Sequence, residues 1–356
     1  MKILVINPGS TSTKIAIFED TKELMTKNIK HSVQDLAGFT RIFEQYDLRK
    51  ETILNEIKNA GFDIKSFGAV VGRGGLLKPI RGGVYKVNDL MIEDLKIAKM
   101  GEHACNLGAP IAREIAIAAG ENVQAYIVDP VVVDEMEGIA RFSGIPEISR
   151  LSIFHALNQK AVARRYARER GKKYEDFNFI IAHLGGGVSV GAHKKGRVID
   201  VNNALNGEGP FSPERSGGLP AGQLVKMCFS GKYTGEEINK KLKGNGGLVA
   251  YLGTNSAYEV EKRVLAGEHE AEIVYKAMAY QVSKEIGALS AVLEGKVDAI
   301  ILTGGVAYDK LFVSWVKEKV SFIAEVITYP GEDEMQALAD GCFYGLKGEI
   351  AVRDYE

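Results

Sequence analysis

The chain carries one folding device twice. Residues 3–7 and 14–18 are short β-rich runs split by a Gly/Ser/Thr turn, and residues 179–184 and 188–193 repeat that plan around Gly185-Gly186-Gly187. The offset is about 175 positions, and each copy reads as strand, tight turn and returning strand, which closes into an antiparallel hairpin. Helix-like and strand-like segments alternate around both copies. Residues 69–72 form an apolar run stopped by glycine, 90–100 and 111–119 read as helices, and 125–129 as a buried strand. Over 155–168, Leu157, Ala161, Val162 and Tyr166 recur at helical spacing beneath a basic face, which Glu169 and Glu175 interrupt. A long helix at 271–293 runs into a strand at 299–302 that ends in Thr303-Gly304-Gly305, with another helix starting near Asp309. A last helix begins near Asp333 and carries Met335, Leu338, Ala339 and Cys342 on one face. The expected class is α/β with a duplicated domain.

A chain of 356 residues is long enough for two cores, because single cores stop growing at roughly 250–300 residues. Lysine and arginine total 45 against 46 acids, so no global field recruits nucleic acid or an anionic membrane. Cys105, Cys228 and Cys342 are odd in number and far apart, which argues against a disulfide framework or a thiolate metal site and for a reducing compartment. The first nine residues are too short an apolar run for a signal peptide and read as a strand, and no run approaches the ~18 apolar residues that span a bilayer. The expectation is a cytoplasmic protein without nucleic-acid or membrane partners.

The turn from Asn7 to Lys14 holds Gly9, Ser10, Thr11 and Ser12 between two strands, where backbone N–H groups can cradle phosphate oxygens. The same residues serve equally in a plain polar hairpin. The second glycine hairpin, His183 to Gly187, favours phosphate, since two facing hairpins can grip a phosphate chain in a cleft between domains. A third element, Thr303-Gly304-Gly305, ends a buried strand where a nucleotide can approach the backbone. Competing devices are missing. Gly9 and Lys14 lack the second glycine of a P-loop, Val190 fills the last slot of a dinucleotide fingerprint, and neither a Gly-x-Ser-x-Gly elbow nor a His-Glu-x-x-His helix occurs.

This succession of elements is similar to the acetate and sugar kinase, heat-shock cognate and actin superfamily. Within it, Val5-Ile6-Asn7-Pro8-Gly9-Ser10-Thr11-Ser12-Thr13-Lys14 resembles the butyrate kinase signature of the acetokinase family, where acetate kinases carry alanine in place of Pro8. Phe154-His155, His183-Leu184-Gly185-Gly186-Gly187, Glu214-Arg215-Ser216-Gly217 and Thr303-Gly304-Gly305 extend the resemblance over nearly the whole chain. It implies duplicated ribonuclease H-like domains of the actin-like ATPase fold with an active-site cleft between them. Residues 1–155 plus 333–356 would form the acyl-substrate and phosphate domain, and 156–332 the nucleotide-binding domain. The implied reaction is reversible, in-line phosphorylation of butyrate by ATP to butyryl phosphate and ADP, with Mg²⁺, in a homo-oligomer of two or more chains. Acetate, propionate or branched-chain acids are the neighbouring alternatives. An actin- or chaperone-type switch ATPase is the alternative of another class, and a sugar kinase, with Asp129 as its only obvious base, a third.

A carboxylate is already ionised at pH 7, so such an acceptor needs no general base, and cations, neutral histidines and backbone N–H groups suit the work. Arg73, between Gly72 and Gly74-Gly75, is placed to pair bidentately with a carboxylate or phosphoryl group. Acetate kinases resemble Arg-Val-Val-His-Gly-Gly here, which puts their arginine on Val70. The resemblance further implies Arg215 as the phosphoryl-stabilising cation, Asp129 as the orienter of an arginine, His155 and His183 as phosphate contacts, and His103 on the substrate side. Ser10, Thr11, Ser12, Lys14, Gly185, Gly186, Gly187, Thr303, Gly304 and Gly305 would bind nucleotide and phosphate, with Asn7 and Glu334 at the metal. His31, His193 and His269 read as surface residues.

Overall fold

A computed structural model describes residues 1–356. Its Cα framework divides into two compact units, Met1–Val133 with Asp333–Glu356, and Asp134–Glu332. Twelve strands form two sheets. The strands β1 (Lys2–Pro8), β2 (Ser12–Glu19), β3 (Lys22–Lys30), β4 (Phe67–Gly72), β5 (Val84–Lys86) and β6 (Gln124–Val128) belong to the first unit. The second unit holds β7 (Asn178–Leu184), β8 (Val188–Lys194), β9 (Arg197–Val201), β10 (Ala299–Gly304) and β11 (Val326–Pro330), and β12 (Val352–Asp354) returns to the first sheet.

Duplication is plain in the strand order. The first sheet runs β12-β5-β6-β4-β1-β2-β3 and the second β11-β10-β7-β8-β9, so five strands in each follow the same path. In both, a three-stranded antiparallel meander is followed by two strands laid parallel beside its first member. Parallel neighbours demand a crossover, which the helix Gly108–Ala119 supplies between β4 and β6.

Strand alternation sorts the cores. Along β7, Ile180, Ala182 and Leu184 face one cluster with Tyr275, Met278, Val282 and Ile286 of the helix His269–Val292. Phe179 and Ile181 face the other way, onto Val162, Ala163 and Tyr166 of the helix Ala156–Glu169. In the first unit Leu4, Ile6, Ile15 and Ile17 pack with Ala109, Ile111 and Ile115 of the crossover helix. The helix Glu334–Leu346 packs against β1, β4 and β6, close enough that a Cβ on Gly341 would lie 2.4 Å from Val128 Cγ1.

Three sequence expectations shift. The first unit ends at Val133 rather than 155, because residues 134–155 bind into the second: the Glu137 N–H donates to Ile199 O (2.9 Å) and Arg150 pairs with Asp200 (2.9 Å). The helix expected over 90–100 spans Asp89–Ile97 and stops where Ala98 turns left-handed at φ 56°. The helix expected from 111 begins at Gly108, Pro110 sitting in its first turn where a missing N–H costs nothing.

Candidate active site

In the first unit, β1 and β2 pair through Asn7 opposite Lys14 and Pro8 opposite Thr13, leaving Gly9, Ser10, Thr11 and Ser12 as the turn. Gly9 donates its N–H to Ser12 O (2.7 Å), while Ser10, Thr11 and Lys14 are exposed and Ser12 is half-buried. Asn7 Nδ2 donates to Glu334 Oε2 (2.8 Å), across 327 positions of sequence. Arg73 follows β4 and continues its pairing, its N–H donating to Ile6 O (2.8 Å). Its guanidinium donates to Glu334 Oε1, so the two oxygens of one carboxylate hold Asn7 and Arg73 together. Glu334 is the first residue of its helix, capped by Asp333, where a carboxylate also suits the helix dipole.

His103 caps the short turn Ala104–Leu107, its Nδ1 accepting from the Cys105 N–H (3.3 Å) and lying 3.0 Å from Cys105 Sγ. Burial first, then the charges of Arg73 and Arg49, lowers its pKa, which favours the neutral ring. Asp129 is 1% exposed and sits at φ 36°, left-handed backbone that an aspartate adopts at some cost. Its carboxylate accepts from the Gly83 N–H (2.7 Å), and its own N–H donates to Gly83 O (3.0 Å). Asp129 thus ties β6 to the glycine loop before β5.

The second unit assembles a different set. His155 opens the helix Ala156–Glu169 but makes no side-chain cap; its Nδ1 lies 2.8 Å from Ser189 Oγ on β8. The rings of His155 and His183 stack at 3.7 Å. His183, 1% exposed at the end of β7, has Nδ1 2.7 Å from Asn158 Oδ1 and Nε2 3.0 Å from Glu332 Oε1. Within the glycine turn, the Gly185 N–H donates to Gly187 O (3.2 Å), and Gly186 O accepts from Ser212 Oγ (2.6 Å) and the Glu214 N–H (3.2 Å). The guanidinium of Arg215 lies directly on this turn: a Cβ on Gly187 would be 1.9 Å from Nη1, so only glycine leaves the cation its place. Nη1 donates to Ala204 O. Burial lowers the Arg215 pKa, with Glu214 working in the opposite direction.

Thr303, next to last in β10, is fully buried, its Oγ1 donating to Gly331 O (3.2 Å), and the Gly304 N–H donates to the same oxygen (3.1 Å). Gly305 is exposed at the start of the turn Gly305–Tyr308, and Asp309 caps the next helix through the N–H groups of Leu311 (2.8 Å) and Phe312 (3.1 Å).

Two histidines expected at the surface are buried. His31 is 7% exposed with Nε2 2.8 Å from Thr13 Oγ1, and His193 is fully buried between the Tyr174 hydroxyl (2.6 Å) and Gln159 Oε1 (2.9 Å). Burial depresses both pKa values, so neutral rings serve there as cross-links between elements. His269 is exposed, as expected. Sequence reasoning missed Arg49, Asn158, Ser189, Ser212 and Glu332. The only signal for Arg49 is its four-residue spacing from Ile53 and Ile57, which share the buried face of the helix Tyr46–Asn59.

For a metal, Asn7 and Glu334 offer hard oxygen donors, and nowhere do three His, Cys, Asp or Glu side chains gather. Two such donors are compatible with a hard cation such as Mg²⁺, which keeps most of its waters and rides on phosphates.

Solved structures share this architecture. A Porphyromonas gingivalis acetate kinase matches 96% of this chain and 98% of its own at a TM-score of 0.77 and 19% identity. A propionate kinase from Francisella tularensis matches the same shares, 96% and 98%, at 0.71 and 18% identity. These likenesses, with the repeated strand order, define the duplicated ribonuclease H-like fold of the actin-like ATPases. The sequence model of the Acetokinase family matches residues 147–325. Butyrate kinase 2 of Clostridium acetobutylicum is 61% identical over 355 residues, covering 100% of this chain and 99% of that protein. The chain belongs to the acetokinase family.

Proposed function

We propose that the protein transfers the γ-phosphoryl group of ATP to butyrate, giving butyryl phosphate and ADP, reversibly. The observation that carries this reading is the full-length 61% identity to a butyrate kinase. A butyrate oxygen forms the new P–O bond, the bond from γ-phosphorus to the β–γ bridging oxygen breaks, and ADP leaves with that electron pair. No proton moves, which suits a site of cations, neutral rings and backbone N–H groups.

In this reading Arg73 exchanges Glu334 for the incoming carboxylate, beside the neutral His103. Asp129 holds the neighbouring loop. The turn at Ser10, Thr11 and Ser12, with Lys14, receives phosphate oxygens; His155, His183, Arg215 and the turn Gly185-Gly186-Gly187 stabilise the transferred group; Thr303-Gly304-Gly305 receives the nucleoside. Asn7 and Glu334 would hold Mg²⁺, which neutralises phosphate charge when bound. No helix is long and apolar enough to cross a membrane. The near-neutral net charge and three free cysteines support a cytoplasmic enzyme without nucleic-acid or membrane partners, and we extend the reading to a homo-oligomer, dimer or higher.

A panel of C2 to C6 acids, scored by ATP-dependent acyl hydroxamate formation, tests the substrate. Butyrate is expected to lead acetate by about tenfold or more in kcat/KM, since each methylene in an apolar pocket discriminates by ~1–3 kcal/mol. An acetate preference overturns butyrate. ADP formed at one rate with and without acids overturns the carboxylate kinase itself in favour of a switch ATPase. Glu334→Gln is expected to raise the Mg²⁺ concentration for half-maximal rate by about tenfold or more. An unchanged Mg²⁺ titration removes Glu334 from the metal.

A further inference from the structure

Arg49 is 0% exposed and no carboxylate meets it. Lys160, the other cation buried this deeply, is neutralised by Glu135 at 2.8 Å. Arg49 instead spends its N–H groups on neutral oxygens. Nη1 donates to Gly9 O (2.8 Å), Ser12 O (3.2 Å) and Thr13 Oγ1 (3.0 Å), Nη2 to Ser10 O (3.0 Å), and Nε and Nη2 to Gln45 Oε1 (3.0 and 2.9 Å). A buried cation without an anion is costly, and burial accordingly lowers its pKa.

The geometry gives that cost a purpose. In a planar trans peptide the C=O and the following N–H point in opposite directions. Drawing Gly9 O and Ser10 O inward to Arg49 therefore turns the N–H groups of Ser10 and Thr11 outward, where those two residues are exposed and neither N–H finds a backbone acceptor. In the glycine turn of the second unit the corresponding carbonyl, Gly186 O, accepts from neutral donors, Ser212 Oγ and the Glu214 N–H. The field of Arg49 also reaches beyond the turn, since its charge contributes to lowering the pKa values of both His31 and His103.

We propose that Arg49 is the positioning residue of the first phosphate turn: it aims the Ser10 and Thr11 N–H groups outward and holds a buried positive charge whose counter-ion is the phosphate chain of the bound nucleotide. This deepens the functional reading above and rests on it. The guanidinium touches no substrate; it acts through three carbonyls and through its field.

Arg49→Lys keeps the charge and loses the fork; Arg49→Gln loses both. Each is compared with the parent protein for unfolding midpoint, for the Kd of inorganic tripolyphosphate by calorimetry, and for kcat and KM with ATP, well below the midpoint. For Arg49→Lys we expect a tripolyphosphate Kd within about threefold of the parent and a kcat about tenfold lower, because the charge persists while the N–H aim is lost. For Arg49→Gln we expect a Kd at least about tenfold weaker and a kcat about 100-fold lower. If both variants lower only the midpoint and leave Kd and kcat within about twofold, Arg49 is merely structural and the proposal falls. Should Arg49→Gln not fold, Arg49→Lys decides alone: a lowered kcat with retained Kd supports the proposal, and an unchanged kcat ends it. A parent protein that makes no acyl phosphate from any acid would sink the kinase reading, while tripolyphosphate binding still judges Arg49 by itself.

Discussion

Arg215→Met is expected to lower kcat about 10³-fold, as loss of one preorganised charge donor to a transition state does. The unfolding midpoint should move little. The guanidinium lies on the glycine turn of the second hairpin, and its recorded bond, to Ala204 O, is one that the fold can lose. Burial works against its charge, so methionine relieves a desolvation cost as it removes that bond. That outcome would make function rather than stability the reason for a cation at this position. Steady-state kinetics with ATP and butyrate, beside a thermal melt, provide the check. A kcat within tenfold of the parent would take Arg215 out of the transition state.

A large effect on stability is expected at Gly304. Its φ of 89° is left-handed, and a Cβ there would sit 2.4 Å from Leu184 O, an atom of the neighbouring strand that cannot swing aside. Strain and backbone clash together should cost on the order of 3 kcal/mol or more in Gly304→Ala. Gly305→Ala is the control: a Cβ meets nothing within 4 Å and no positive φ is required, so stability should change by less than about 0.5 kcal/mol. Chemical denaturation of both variants distinguishes the two glycines. Equal stability would mean that β10 and β7 tolerate a wider separation than the close approach at Leu184 implies.

The two hairpins and the strand end at Thr303 were legible in the sequence because turn chemistry is local, and glycine between β-rich runs leaves few conformations. The meeting of Asn7 with Glu334 was legible only through resemblance, since 327 positions separate them and neither side chain announces the other. Burial of polar groups was not legible. His193 lies on a strand beside lysines and looks solvated, yet Tyr174 and Gln159 from two other elements enclose it. Arg49 sits in a helix rich in charge, Tyr46–Asn59, where its spacing with Ile53 and Ile57 places it on the inward face but tertiary contact alone gives it its carbonyl partners. Glu332 stood in the sequence as one of three adjacent acids; the fold gives it to His183 and gives Glu334 to Arg73. Boundaries failed for a related reason. Residues 134–155 contain little regular structure, and their allegiance to the second unit rests on ion pairs such as Arg150 with Asp200.

The return of the helix Glu334–Leu346 has a consequence for synthesis. Translation delivers residues 134–332, a complete compact unit, before the segment that finishes the first one. Until then β1, β4 and β6 lack the cover of that helix, and Arg73 lacks the carboxylate that holds it. The later-encoded unit can therefore mature first on the ribosome, while the amino-terminal half waits as a nascent sheet, open to chaperones or to aggregation, for the final turns of helix to be released.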